Sequence, residues 1–407
     1  MKSRDMYLSQ LLEFKDKEQV KVITGVRRSG KSTLLNLFKL HLLKSGVPDE
    51  NIVYLNFESL IHKDLMDEEA LWKHVIERSK KTGKLYLLFD EVQLVSGWER
   101  CVNALRVDCN TDIYLTGSNA SLLSTHRSTI LGGRCVNLKM LPLSFKEYLD
   151  FSPIDDTDDA NLRDFLCIKK FEKYLKLGGM PALAGQGLSS EASYTALLDV
   201  FDAVLARDVI EQNNVRDPAL LRSVAIFLTH NIGSTVSPKK ISDYLISSGR
   251  KTSGETIDNY LTMLTDAFLF YKAQRYDLKG KLHLKTLGKY YIVDIGIRNA
   301  LIGHREADFG HVLENIIFFE LLRRNINVSI GKQNGYEVDF VADSYNSRKY
   351  YQVTATILDE STLKRELRPL EAIKDHYEKI ILTMDRNFTA SIGGIRVVNI
   401  VDFLLGE

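Results

Sequence analysis

Apolar positions between residues 19 and 141 recur alternately at strand and helix spacing. VKVIT, NIVYLNF, KLYLLFD, DIYLTG and RCVNL read as strands, and TLLNLFKLHLLK sets Leu34, Phe38 and Leu42 along one helical face. Two of the strands are almost continuously apolar, as strands covered on both faces are. The pattern predicts a parallel sheet flanked by helices. LPLSFKEYLDF closes this unit, and SPIDDTDDANLRD is an acidic surface loop. Residues 164–214 read as helical, broken at KLGGMP, where Gly178, Gly179 and Pro181 enforce a turn.

The period changes again from residue 218. SPKKISDYL and SGETIDNYLTMLTDAFLF read as helices, and FLFYKAQRYD and KLHLKTLGKYYIVD as strands turning near Lys279, Gly280 and Lys281, the order of a winged helix. From residue 310 an amphipathic helix, HVLENIIFFELLRRN, precedes the strands NVSIG, YEVDFVA and KYYQVTA, the helix TLKRELRPLEAIKDHYEK and the strand KIILTMD. That is an α/β unit of its own.

Composition narrows the class. At 407 residues, 44% hydrophobic and 26% charged, the chain is a folded multidomain protein. No apolar run approaches the roughly 20 residues that span a bilayer, and the N-terminus lacks a signal-peptide core, which predicts a cytoplasmic protein without membrane partners. Cys101, Cys109, Cys135 and Cys167 form no C-x-x-C pair, so neither disulfides nor zinc is indicated. A net charge of +1 gives no global bias towards nucleic acid. Locally, residues 271–298 carry seven basic against two acidic side chains with Tyr276, Tyr290 and Tyr291 interleaved, a stripe able to follow a phosphate backbone. Because the 253–271 segment holds acids and no Arg or Lys, base readout is not expected, and a scaffold role weighs equally.

The chemistry concentrates in GVRRSGKST, residues 25–33, which fits G-x-x-x-x-G-K-[ST] between a strand and a helix. Gly25 and Gly30 permit the turn that aims backbone N–H groups at phosphate, Lys31 reaches the β- and γ-phosphates, and Ser32 offers a hydroxyl to Mg²⁺. Gly25, Arg28, Ser29, Gly30, Lys31, Ser32 and Thr33 form the expected ATP-binding set. KLYLLFDEVQ ends a buried strand in Asp90 and Glu91, the first placed to hold Mg²⁺ with Ser32 and the second to orient or deprotonate water. DIYLTGSNA ends another strand in Ser118 and Asn119, a nucleotide sensor. Transition-state charge calls for an arginine, and Arg134 ranks before Arg127, Arg27, Arg28 and Arg207.

In order, GVRRSGKST, YLNFES, LLFDEVQ, LTGSNA, LGGRC and LPLSFKEYL resemble the archaeal and bacterial AAA-type ATPases of the STAND-like branch of P-loop NTPases. The remainder resembles their usual C-terminal partner, a domain of unknown function related to PD-(D/E)XK nucleases. The resemblance implies an extra strand between the Walker A and Walker B strands, Glu91 as catalytic base and Asn119 as sensor. With the pattern of elements, the chain is expected to divide into an AAA-like ATPase domain (1–145), a helical lid (146–217), a winged helix (218–303) and a nuclease-like α/β domain (304–407). A nuclease of this kind needs a metal-holding set, for which Glu314, Asp339 and Gln352 are candidates. Thr354 stands where the lysine is required, which favours an inactive fold. Three functions compete: an ATPase acting as a switch or remodeller, an ATP-gated nuclease, and a non-catalytic module binding DNA or a protein. Copies of the same chain are further candidate partners.

Overall fold

The computed structural model describes residues 2, 4–80, 83–120, 133–154, 159–280, 282–324, 327–386 and 389–406. Two compact units emerge, one of residues 1–141 with 266–268 and one of 142–265 with 269–407.

In the first unit, β1 (Val20–Thr24), β2 (Ile52–Asn56), β3 (Leu85–Asp90), β4 (Thr111–Gly117) and β5 (Cys135–Lys139) form a sheet in the order β2-β3-β4-β1-β5. Every pairing is parallel. β4 thus stands between β1 and β3. Side-chain alternation explains the unbroken apolar runs: Leu85, Leu87 and Phe89 join one core with α3 (Glu68–Ser79) and α4 (Trp98–Asp108), whereas Tyr86 and Leu88 join another. The second core holds Leu34, Phe38 and Leu42 of α2 (Lys31–Lys44) and Tyr7 and Leu11 of α1 (Asp5–Glu13). Helices therefore cover both faces.

The polar position of VKVIT is buried as completely as its neighbours. Lys21 Nζ lies 2.5 Å from Asp112 Oδ1 and 2.8 Å from the Lys17 carbonyl, with both side chains enclosed. Burial pulls this amine below the ordinary lysine range, against the opposing pull of Asp112.

The second unit opens with α5 (Phe145–Phe151), α6 (Ala160–Leu177) and α7 (Ser190–Ala203), which runs into a π-helical stretch, Val204–Glu211. It continues with α8 (Pro218–His230), β6 (Thr235–Val236), α9 (Pro238–Ser247), α10 (Gly254–Asp266), β7 (Phe270–Asp277), β8 (Leu282–Ile292) and α11 (Ile295–Ile302). Then come α12 (Phe309–Arg324), β9 (Asn327–Gln333), β10 (Tyr336–Ser344), β11 (Ser347–Thr354), α13 (Glu360–Glu371), β12 (Glu378–Thr383), β13 (Ser391–Ile392), β14 (Ile395–Asn399) and α14 (Ile400–Leu405). One mixed nine-stranded sheet, ordered β13-β14-β12-β11-β10-β9-β7-β8-β6, runs from the hairpin through the C-terminal strands, joined by parallel β7 and β9.

Two helices depart from the sequence pattern. α12 reads as amphipathic, yet every residue from Val312 to Leu321 is buried, because it is enclosed on all sides. The helix expected through Lys379 ends at Glu371, two residues after Pro369, whose ring and missing N–H do not support a continuing helix.

The KLGGMP turn is set by an acid distant in sequence. Asp294 Oδ2 accepts the Gly179 N–H at 2.7 Å, while Oδ1 accepts those of Gly296 and Ile297 at 2.9 and 3.2 Å and caps α11. Gly178 has φ 72°, and a Cβ there would lie 2.1 Å from Asp294 Oδ1. Burial pushes the Asp294 carboxyl up to about 6, although the three N–H groups oppose it. A raised carboxyl pKa means that the folded chain holds the proton more tightly. This contribution is therefore full below the ordinary value of 3.8 and is lost as pH rises through about 6. Between pH 4 and 7 the protein is expected to lose up to about 3 kcal/mol that Asp294→Asn does not lose. Denaturant unfolding at both pH values checks this, and equal slopes for the two chains would remove Asp294 from this role.

Candidate functional site

The parallel sheet brings the ends of β1, β3 and β4 to one edge, and the sequence motifs follow those ends. Gly25 has φ 151°, and a Cβ there would stand 2.2 Å from the Met140 carbonyl oxygen, so this close approach requires glycine. Gly30, at φ 99°, is the N-cap of α2 and provides no side-chain cap, so no residue side chain at the cap covers the first-turn N–H groups. Ser29 is fully buried, whereas Thr33 and Arg28 are exposed and Ser32 is half-buried.

Lys31 follows, 4% exposed, its Nζ donating to the carbonyls of Gly25 at 3.0 Å and Val26 at 3.2 Å. The same Nζ lies 3.9 Å from Glu91 Oε1, so helix and strand deliver opposite charges to one place. Thr116 on β4 organises the acidic pair. Its hydroxyl donates to Asp90 Oδ1 at 2.5 Å and accepts the Glu91 N–H at 2.9 Å. Glu91 has φ 53°, a left-handed conformation unusual for a non-glycine residue, and Gln93 donates to its Oε2. Tyr54 donates to Asp90 Oδ2 at 3.3 Å, and burial, then Asp90, push its hydroxyl up to about 12. Ser118 and Asn119 are buried directly after β4.

Thr116, Tyr54 and Arg4 were not legible as site residues. Arg4 Nη1 donates to the carbonyls of Ser29 at 3.2 Å and Leu141 at 2.8 Å, bracing the loop from a position with no motif around it. Thr116 could have been suspected as the polar residue before Gly117 in an otherwise apolar strand.

The arginine assignment needs correction. Arg134 precedes β5, and its carbonyl accepts the Val20 N–H at 2.8 Å, where β1 begins. In a parallel sheet this is the edge opposite the loop, roughly 16 Å away along five strand residues. Its exposed side chain lies 3.7 Å from Glu18. Within its own subunit Arg134 does not reach the phosphate loop. Arg27 pairs with Glu58 at 3.1 Å, an acid of the same unit. Arg127 lies outside the described residues, and Arg207 lies in the π-helical stretch of the second unit.

The basic stripe is also thinner than its sequence count. Lys289 and Arg298 are buried, paired with Glu314 and Glu337 and with Asp308 respectively, because their segments run through the second unit's interior. Lys281 lies outside the described residues. Of Glu314, Asp339 and Gln352, the last two are joined directly, Gln352 Oε1 accepting the Asp339 N–H at 2.8 Å, whereas Glu314 is paired with Lys289.

Sheet order, glycine loop and paired carboxylates define a P-loop domain of the AAA type. A family model described as an AAA domain matches residues 17–149, and a domain of unknown function (DUF8612) matches 168–308. An uncharacterized protein of Haemophilus influenzae is 44% identical over 410 residues, covering 100% of this chain and 99% of that protein. One from Methanocaldococcus jannaschii is 32% identical over 368 residues, covering 88% and 79%. The chain belongs to one family with these two proteins. In fold it is similar to a Walker-type ATPase of Pyrococcus abyssi, with a TM-score of 0.50 and 17% identity over 74% of this chain and 96% of that one.

Proposed function

We propose that this protein binds and hydrolyses ATP and uses the cycle to switch or remodel a DNA or protein partner. The observation that carries the reading is the uncapped N-terminus of α2, which stands behind a glycine loop whose Lys31 faces Glu91 across 3.9 Å. The loop amides and Lys31 bind the phosphates, which are anionic and suit a helix N-terminus. Ser32 and Asp90 would hold Mg²⁺, which when bound neutralises phosphate charge. Glu91 orients and deprotonates the attacking water, held by its backbone bond to Thr116. Asn119 reads the γ-phosphate from the end of β4. The arginine that completes the centre is not Arg134 of the same subunit, and one supplied by a second copy of the chain is part of the proposal.

Lys31→Ala is expected to weaken ATP binding about 10- to 150-fold, the worth of one hydrogen bond to a charged group. Titration with a fluorescent ATP analogue checks it. Unchanged affinity would place the nucleotide elsewhere.

A further inference from the structure

The resemblance to PD-(D/E)XK nucleases implies a divalent metal at Glu314, Asp339 and Gln352, and the residues present do not fit one. Glu314 Oε1 already accepts from Lys289 Nζ at 2.8 Å and from the Tyr291 hydroxyl at 2.7 Å. Gln352 Oε1 accepts the Asp339 N–H, and its Nε2 donates to Glu366 Oε2 at 2.9 Å. Asp339 Oδ2 accepts the Val353 N–H at 2.9 Å. One oxygen of each of the three side chains is thus engaged by a protein donor. Among the described residues no group of three His, Cys, Asp or Glu is disposed to hold a metal ion.

An ammonium already pairs with the first acid of this set. Lys289 is 5% exposed, and its Nζ lies 2.8 Å from Glu314 Oε1 on α12 and 2.8 Å from Glu337 Oε1 on β10. Its register on β8, opposite Ala273 of β7 and Thr235 of β6, fixes where the stem enters. Tyr291, two residues further on the same strand face, supports Glu314 from the same side.

We infer that Lys289 is the resident cation of this acidic centre, filling the place of a divalent metal, so that the second unit works without metal and does not cleave phosphodiester bonds. Lysine is absent from the position that the nuclease motif reserves for it, Thr354, and present instead where its charge competes with a metal.

The test is Mn²⁺ binding by the nucleotide-free full-length chain, counted by electron paramagnetic resonance. Lys289→Ala is expected to bind one more Mn²⁺ per chain than the parent, and Lys289→Ala with Asp339→Asn to lose it again. Lys289→Gln, which keeps the stem and a donor without the charge, gives the same readout if the alanine variant does not fold. The nucleotide centre is common to all these chains and cancels in the difference, so failure of the ATPase reading leaves this result interpretable. Equal Mn²⁺ stoichiometry in parent and folded lysine variants would overturn the inference. So would Mn²⁺-dependent cutting of DNA or RNA by the parent chain that Asp339→Asn abolishes.

Discussion

Glu91→Gln is expected to bind ATP as the parent does and to release phosphate about 100- to 10,000-fold more slowly, the usual worth of a positioned general base. The substitution is isosteric, and the contact that places the residue, from its N–H to Thr116 Oγ1 at 2.9 Å, belongs to the backbone. Position therefore survives while basicity is lost. The left-handed backbone at Glu91 supports the distinction, since it aims the side chain independently of its charge. Binding should persist because phosphate contact falls to the loop amides and Lys31, and removing a carboxylate 3.9 Å from Lys31 takes away no donor. Phosphate release under single turnover, with affinity measured alongside, separates the two effects. Parent-like turnover would remove Glu91 from its role and leave Asp90 or another acid as the base.

Asp112→Ala is expected to destabilise the β1–β4 region by about 3–5 kcal/mol, the cost of leaving a buried charge without its partner. Asp112 is 1% exposed and serves three donors: Lys21 Nζ at 2.5 Å, the Tyr114 hydroxyl at 3.0 Å and the Asp16 N–H at 2.8 Å. Alanine strands all three, and the Lys21 amine, already depressed by burial, has only the Lys17 carbonyl left. Replacing both members, as in Lys21→Met with Asp112→Leu, should restore much of the loss, because an apolar pair needs no compensation in a closed core. Amide hydrogen exchange reads this locally. Protection in β1 and β4 should fall by two orders of magnitude or more in the single variant. Retained protection would show that water reaches Lys21.

Much of the fold could be read along the chain. The five strands of the first unit lie close to where strand spacing put them, and the central ones most clearly, because a strand covered on both faces writes an almost unbroken apolar run into its own sequence. The α13 boundary was overrun, since charged residues up to Glu378 keep helical spacing after the backbone has turned. β14 and α14 were missed because IRVVNIVDFLL carries one continuous apolar signal across both.

By itself the sequence determined the phosphate loop, the paired carboxylates and the strands that present them, because each is a contiguous segment whose conformation follows from its own glycines and periodicity. Only the tertiary structure decided which charges face solvent and which neutralise one another. Lys21 meets Asp112 across 91 positions and Lys289 meets Glu314 across 25, so neither pair has a local signature. The same physics removed Arg134 from the site. A strand's direction decides which edge its first residue occupies, and direction is fixed by pairing with β1, not by the residues of β5 themselves.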